Sequence, residues 1–179
     1  MKHENSEGPL LYNARIIKTY LEYLEKFYPD ISTDEVLDYI GMTRYQIEDQ
    51  GQWYSQETSD RLHAFLKKKT RNPKIARDAG RYVTSSKAYR VIREYVYGFV
   101  GPEKAYNLLP KINTKVSRGS RLIVRKLGHC RIEAVATRLP DVRENQYQCE
   151  NRIGQFEAIA GGFTGHYAQV EHPECIHRG

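Results

Sequence analysis

The sequence predicts an α+β fold: a helical N-terminal half, then an antiparallel β-hairpin and a helix-strand unit, packed as one domain. In the mainly helical part, residues 1–116, apolar residues recur at helical spacing. After Ser117 the apolar period changes from 3.6 residues to two, which indicates strands. A last helical stripe then leads into a turn that holds cysteine and histidine, and residues 117–179 are therefore predicted as the α+β part.

The first predicted helix runs to Pro29, which ends it because proline cannot continue a helix. Its apolar stripe is wide and follows i, i+3, i+4 and i+7 spacing. The stripe consists of Ile16, Ile17, Tyr20, Leu21, Leu24, Phe27 and Tyr28. So broad a stripe suits packing against a second copy, and we predict a homodimer through this helix. Packing of the stripe on its own domain is the alternative.

A helical hairpin follows the first helix. Ser32 and the residues after it cap a short helix that ends at Gly41, and Thr43 caps another start. Helix, glycine turn and helix together are also the outline of a DNA-binding helix-turn-helix. Glu48 and Asp49 in the second helix would repel phosphates, so a surface helical hairpin is favoured.

The segment from Gln50 to Val116 is predicted to be helical after a turn that contains Trp53. The predicted helices begin at Ser55, Ile75, Ser85 and Pro102, and the last is expected to end at Pro110 before a short helical piece, Lys111 to Val116. Serine and threonine favour helix starts, and proline is tolerated in the first turn.

Two alternating segments, Arg121 to Leu127 and Cys130 to Ala136, flank the turn Gly128-His129. Two such strands joined by a short glycine-containing link predict a β-hairpin. The terminal unit begins with a helix that enters at Cys149 and is expected to stop at Gly161-Gly162. A short strand from His166 to Val170 is predicted after it.

Composition sets bounds on the class of protein. A chain of 179 residues with 40% hydrophobic residues fits one soluble domain with a substantial core. It has no run of 18 apolar residues, and its polar start lacks a signal sequence. The odd number of cysteines, 3, favours a reducing cytoplasm over a disulfide framework.

The net charge of +6 makes a basic nucleic-acid-binding regulator the alternative function. Basic clusters occur at 67–71, 115–121 and 125–126, and tyrosines could stack on bases. The first cluster is also what the last turn of a helix favours, because cations complement the helix dipole. Direct binding of nucleic acid is therefore the less favoured hypothesis.

Enzyme motifs are absent: the sequence has no GxSxG, HExxH, P-loop or GxGxxG. The remaining enzymatic alternative is a thiol enzyme with Cys149 as nucleophile and His166 or His172 as base. No intrinsic catalysis is expected in this chain.

Residues with metal-binding side chains cluster at the end of the sequence. His172 and Cys175 are close enough in sequence for a tight turn to aim both at one ion, and Cys149 could fold back to join them. Thiolate and imidazole suit tetrahedral zinc, so Cys149, His172 and Cys175 are the predicted zinc ligands, with His177 as a possible fourth. The alternative is that the cysteines are small buried hydrophobes.

The pattern of Cys149, a glycine-rich helix end, and His172-x-x-Cys175-x-x-x-Gly179 resembles the end of the vinyl reductase domain. That domain also forms the sensor region of bacterial activators of aromatic catabolism, in the superfamily of haem nitric-oxide sensors and Golgi-transport subunits. Its sensor members bind zinc through a cysteine, an acidic residue and two more cysteines. Cys149 and Cys175 match the first two thiolates, and His172 replaces the acidic ligand. The last cysteine would fall beyond Gly179.

The resemblance implies a sensor domain that binds a small apolar or aromatic ligand between the strand pair and its covering helices. The candidate lining residues are Tyr95, Phe99, Tyr106, Val124, Ile132 and Phe163, with plain core as the alternative for each. The zinc would staple the terminal turn to the helix. The signal would pass to an output domain beyond Gly179, such as a histidine kinase.

Overall fold

A computed structural model describes residues 8–178, apart from the side chain of Phe99. It confirms the α+β class, with helices and two small antiparallel sheets. The helices are α1 (Arg15–Phe27), α2 (Thr33–Ile40), α3 (Arg44–Glu48), α4 (Gln56–Thr70), α5 (Ile75–Tyr82), α6 (Arg90–Phe99), α7 (Pro102–Val116) and α8 (Gln146–Thr164). The strands are β1 (Leu10–Asn13), β2 (Trp53–Ser55), β3 (Ser120–Gly128) and β4 (Arg131–Arg138). No helix among the described residues is long and apolar enough to cross a membrane.

Helix α1 lies at the centre of the main core. Its residues Ile17, Tyr20, Leu21 and Leu24 are buried, whereas Phe27 at its end is half exposed. The stripe that suggested a homodimer thus packs on its own domain. The same core takes in α2, α4 and α5 through Val36, Leu37, Ile40, Leu62, Phe65, Leu66, Ile75 and Ala79.

The helical hairpin is formed as the capping residues predict. Gly41 has φ +72°, a left-handed conformation that glycine adopts without strain, and it ends α2. Thr43 and Gln46 form a capping box at the start of α3. Arg44 then pairs with Asp34 across the hairpin at 2.7 Å, which leaves the pair on the surface.

A small sheet that periodicity does not reveal lies within the helical part. Strand β1 pairs antiparallel with β2, so that Tyr12 lies opposite Tyr54 and Asn13 opposite Trp53. Trp53 therefore lies in a strand, and its predicted turn is wrong. The backbone N–H of Arg118 donates to the carbonyl of Leu11 at 2.7 Å. Strand β1 thereby connects the helical part to the β3–β4 hairpin.

The region from Ser85 to Val116 differs from the prediction in two places. A 3₁₀ turn, Lys87–Tyr89, precedes α6, so the long helix from Ser85 is divided. Pro110 lies inside α7, which continues to Val116. Proline removes one backbone donor from a helix but does not forbid it, and packing of α7 on β3 and α8 holds both halves in line.

Strands β3 and β4 form the predicted hairpin, with Leu122 opposite Ala136 and Val124 opposite Ala134. Helix α8 continues through Gly161 and Gly162 and ends at Gly165, whose φ is +77°. The predicted stop is therefore wrong by a few residues, because the left-handed backbone that ends the helix occurs only at Gly165.

The segment after α8 contains no strand among its described residues, so the strand predicted for 166–170 is wrong. The N–H of Ala168 instead donates to the carbonyl of Glu157 at 3.0 Å. The ring of Tyr167 lies against the guanidinium of Arg81, 5.3 Å from its centroid. The chain thus folds back along α8, because no neighbouring strand offers it a ladder of hydrogen bonds. This return path brings 172–178 to the start of α8.

Candidate metal centre and adjoining cavities

The three predicted zinc ligands come together in the structure. One ligand atom from each of Cys149, His172 and Cys175 lies within 4.8 Å of the other two. Cys149 lies in the first turn of α8, where Asn145 and Gln148 form a capping box that fixes the helix start. The rigid helix end therefore supplies one ligand, and the returning chain supplies two.

A tight turn holds the other two ligands in place. The N–H of Arg178 donates to the carbonyl of Cys175 at 3.0 Å. The side chain of Arg178 donates to the carbonyl of His172 at 3.1 Å. These bonds tie the two ends of the HPECIHR segment together, so that both ligands face the start of α8.

The spacing of the cluster suits a tetrahedral ion after a small contraction. A zinc ion with Zn–S bonds of about 2.3 Å would hold two sulfurs roughly 3.8 Å apart. Because Cys175 lies outside regular structure, it can move the short distance required. Two sulfurs and one imidazole nitrogen are a donor set that zinc prefers over harder cations.

Two buried histidine nitrogens lie close in sequence to this cluster and lack partners. Nδ1 of His172 is buried with no hydrogen-bond partner among the described residues, as expected for a nitrogen that binds a metal ion. Nε2 of His177 is also buried and has no hydrogen-bond partner among the described residues. His177 is nevertheless not part of the three-residue cluster. Its role as a fourth ligand stays a prediction.

Burial raises the pKa of Cys149 to about 11, with Arg152 opposing the rise and Cys175 and Glu144 adding to it. Cys149 is therefore a thiol at neutral pH unless a cation binds. A nucleophilic cysteine needs a lowered pKa, so this environment does not favour the thiol-enzyme alternative. Thiols that lose their protons on metal binding fit the same geometry.

An apolar cavity of about 90 Å³ lies beside the metal cluster. Helices α6, α7 and α8 form most of its wall, and Leu122 of β3 closes one side. Its apolar lining residues are Val83, Ile92, Val96, Ala105, Leu109, Ile112, Val116, Leu122, Phe156 and Ile159. Thr84, Arg93, Asn113, Arg152 and Gln155 add polar groups to the wall. An apolar cavity with a few convergent polar groups is the usual form of a small-molecule site.

Of the residues predicted to line a ligand pocket, the five whose side chains the structure describes are not part of the wall of this cavity. Tyr95 is exposed, and Val124 and Ile132 are half-buried on the hairpin. The hydroxyl of Tyr106 donates to the carbonyl of Phe156 at 2.8 Å. Phe163 packs edge-on against Tyr97 at 4.7 Å. The side chain of Phe99 lies outside the described part of the structure. Their role in ligand binding stays a prediction.

A second cavity, of about 70 Å³ and with a more polar wall, lies between α8 and the β1–β2 sheet. Sequence reasoning missed it, because its residues come from seven separate elements. Tyr12 and Gln148 in its wall form one hydrogen-bonded group with Gln56, with distances of 2.6 to 2.9 Å. In a second hydrogen-bonded group, the carboxylate of Asp60 accepts from the hydroxyl of Tyr147 at 2.7 Å.

The two cavities share a wall. Asn113, Val116, Arg152 and Gln155 line both of them. Both oxygens of Glu144 accept from Arg152 at 2.7 Å, so the charge in this wall is neutralised. The carboxylate and the guanidinium are both largely buried.

Comparison with known proteins adds no constraint. A search of protein-family models gave no match, and searches of the curated proteins and of the solved structures gave none either. The function must therefore be inferred from the geometry of the cluster of Cys149, His172 and Cys175 and of the two cavities.

Proposed function

We propose that this chain is a sensor module of bacterial signal transduction that binds a small apolar or aromatic ligand. The observation that supports this best is the apolar cavity whose wall is formed mainly by α6, α7 and α8. The resemblance of the terminal segment to vinyl reductase-like sensor domains points the same way. The ligand would be released unchanged, and its signal would pass to an output domain beyond Gly179, such as a histidine kinase.

Helix α8 connects the proposed ligand to the proposed metal. It carries Cys149 at its first turn and Phe156 and Ile159 in the cavity wall. A zinc ion on Cys149, His172 and Cys175 would staple the returning chain to the start of this helix. A ligand against the middle of α8 would then favour one position of the helix and its attached segment over another.

Toluene provides a direct test of the cavity, because it is apolar and carries no hydrogen-bonding group. Addition of toluene is expected to raise the midpoint of thermal unfolding of the natural chain. Ala105→Leu should weaken toluene binding by about tenfold or more, since Ala105 lines the cavity and is 1% exposed. Ala134→Leu, on the exposed surface of β4, is the matched control and should leave binding unchanged.

The absence of any stabilisation by toluene up to saturation would contradict the proposal. Equal weakening by Ala105→Leu and Ala134→Leu would contradict the assignment of the site to the cavity.

Metal content tests the zinc part of the proposal separately. About one zinc ion per purified chain is expected, since three protein ligands are enough to hold it. Cys175→Ser should lose the ion, and Cys130→Ser should keep it, because Cys130 lies exposed in the hairpin turn. Zinc that survives Cys175→Ser, or chains that contain none, would count against this site.

A homodimer through α1 is a separate proposal, and light scattering of the purified chain tests it. The apolar stripe of α1 is buried within its own domain, so a dimer would have to use the outer face around Phe27, which is 52% exposed. Phe27→Ser should then yield monomers. A natural chain that is monomeric at high concentration would rule the dimer out.

Nucleic-acid binding is the weaker alternative. The basic hairpin is partly neutralised, because Lys126 pairs with Glu103 at 2.7 Å and Arg125 with Glu133 at 3.6 Å. Lys67, Lys68 and Lys69 occupy the last turn of α4, where they complement the helix dipole. Binding to phosphates would weaken steeply with salt, whereas toluene binding would hardly change.

A further inference from the structure

Tyr54 carries a buried hydroxyl that the protein leaves without a partner. The residue is 3% exposed and lies in the wall of the polar cavity. Its hydroxyl makes no hydrogen bond to any group in the described part of the chain. Ser59 is near enough to oppose the rise in the pKa of Tyr54 that burial causes. The Ser59 hydroxyl, however, is hydrogen-bonded to that of Tyr147 at 2.9 Å, and its geometry toward Tyr54 is not that of a hydrogen bond.

The other phenols of this cavity are satisfied. The hydroxyl of Tyr12 donates to Gln56 at 2.6 Å, and that of Tyr147 donates to Asp60 at 2.7 Å. The hydroxyl of Tyr20 accepts from Asn151 at 3.2 Å. An unpaired buried hydroxyl is destabilising, because it has lost its hydrogen bonds to water without replacement. Tyr54 is therefore the one phenol in the described wall of this cavity whose burial the protein does not compensate.

The charges around the polar cavity favour a neutral guest. Arg152 is paired with Glu144, so neither requires a counter-ion from a ligand. Burial lowers the pKa of His63 to about 4, so this ring is uncharged at neutral pH. An unpaired charge placed here would lose its hydration without compensation. A phenol that stays protonated can donate one hydrogen bond to an uncharged oxygen.

The shared wall places the apolar cavity next to the polar one. The oxygen can therefore belong to a molecule whose apolar part lies in the apolar cavity. Asn113, Val116, Arg152 and Gln155 face the apolar cavity on one side and the polar cavity on the other. A molecule seated in the apolar cavity would reach Tyr54 with a polar end that passes between these side chains. The two volumes, about 90 and 70 Å³, can take up the apolar body and the polar end of one small molecule.

We infer that the ligand is a neutral amphiphile: an apolar body in the cavity of α6, α7 and α8, bearing one carbonyl oxygen that accepts a hydrogen bond from Tyr54. The inference rests on the proposed ligand-binding function and adds the chemical class of the ligand. An apolar body alone would leave the hydroxyl of Tyr54 unsatisfied. A charged head group would bring an unpaired charge into a neutral wall.

Acetophenone and α-methylstyrene form a matched pair of probes, because they differ only in a carbonyl oxygen against a methylene group. Affinities of both are measured by calorimetry for the natural chain, Tyr54→Phe and Tyr28→Phe. Tyr28 is the control, because its hydroxyl accepts from Asn72 and lines neither cavity. Tyr54→Phe should weaken acetophenone about tenfold and leave α-methylstyrene unchanged. Tyr28→Phe should change neither.

The thermal midpoint without ligand gives a second measurement. Tyr54→Phe should keep or raise it, because the variant removes an uncompensated buried hydroxyl and preserves the ring. This also shows that the variant is folded.

Equal affinities of both probes for Tyr54→Phe and the natural chain would overturn the inference and assign the hydroxyl to a trapped water molecule. Equal weakening of both probes would reduce Tyr54 to a packing residue and overturn it as well. If α-methylstyrene and toluene bind but acetophenone does not, the carbonyl is rejected while the proposed function stands. If none of the three binds, the proposed function fails and the inference with it.

Discussion

Gly80 of α5 and Gly154 of α8 lie where the two helices cross, and each faces the backbone of the other helix. A Cβ atom on Gly80 would lie 2.1 Å from the carbonyl oxygen of Asn151, and one on Gly154 would lie 2.1 Å from that of Arg77. Backbone atoms cannot relieve such a clash by a change of rotamer, as side-chain atoms can. The closeness of this crossing therefore depends on the absence of two side chains.

Gly154→Ala is accordingly expected to separate α5 from α8 and to lower the free energy of unfolding by about 3 kcal/mol. Gly80→Ala should act similarly, and the double variant should cost less than the sum, because the first methyl already separates the helices. Gly128→Ala is the control, since an added Cβ there meets nothing within 4 Å. Urea unfolding measures all four. A loss below about 0.5 kcal/mol for Gly154→Ala would show that the helices part easily.

Glu157 ties the same two helices together through Arg77 and Arg81. The carboxylate is 7% exposed and accepts from Nε of Arg81 at 2.7 Å and from Nε of Arg77 at 3.2 Å. Glu157→Gln should lower the free energy of unfolding by about 2 kcal/mol, because two guanidinium groups lose a charged partner. Glu94→Gln, in a surface pair with Arg90, should change it by less than about 0.5 kcal/mol. Comparable effects of the two variants would contradict this role.

The same carboxylate predicts a loss of stability in acid. Burial tends to raise the pKa of Glu157, but the hydrogen bonds and charges of Arg77 and Arg81 hold it below its ordinary value. A lowered carboxyl pKa stabilises the folded state above the ordinary pKa of glutamate, and this contribution disappears as the pH falls through the folded-state pKa. Unfolding measured below pH 4.5 should therefore become less pH-dependent in Glu157→Gln. An unchanged pH dependence would contradict the ion-pair account.

His63 predicts a second effect in a higher pH range. Its ring stacks on Tyr147 at 4.2 Å, and burial lowers its pKa from 6.5 to about 4. The unfolded chain therefore takes up a proton as the pH falls below 6.5, while the folded chain does not. Between pH 7 and pH 5 the natural chain should lose about 1 kcal/mol more than His63→Phe, after allowance for solvent screening. Parallel curves for the two proteins would show that the ring titrates normally.

The thiols of Cys149 and Cys175 are close enough to interact in the metal-free chain. After chelation, diamide should join them within one chain: both thiol hydrogens pass to the azo group, which becomes a hydrazine, and one S–S bond forms. Mass spectrometry under non-reducing conditions detects the link. Added zinc should prevent it, because both sulfurs would then be bound. Cys130→Ser should still form the link, and a link through Cys130 instead would contradict the observed cluster.

The elements that local chemistry determines were predictable. Gly41 and Thr43 set the helical hairpin through a left-handed residue and a capping box. The β3–β4 hairpin follows from alternation around a tight turn. The metal cluster followed from residue types that share one chemistry, because cysteine and histidine together point to one class of ion.

Elements that depend on distant partners were not predictable. Strands β1 and β2 are too short to show a period, and each exists because the other offers hydrogen bonds. The segment 166–170 has the composition of a strand but no neighbour to pair with. The wall of the apolar cavity was not predictable either, because an apolar residue in a wall is chemically the same as one in the core.

The β3–β4 hairpin forms a sheet of only two strands in the described part of the chain, so each strand has one edge with exposed backbone donors and acceptors. Such edges can recruit strands from other chains and start insoluble aggregates. Arg125 and Lys126 on these strands are paired with Glu133 and Glu103, but Arg121 and Arg131 add exposed positive charge, so two hairpins that approach each other repel. This repulsion opposes aggregation in concentrated solution. The basic residues of the hairpin can thus be explained without a nucleic-acid surface.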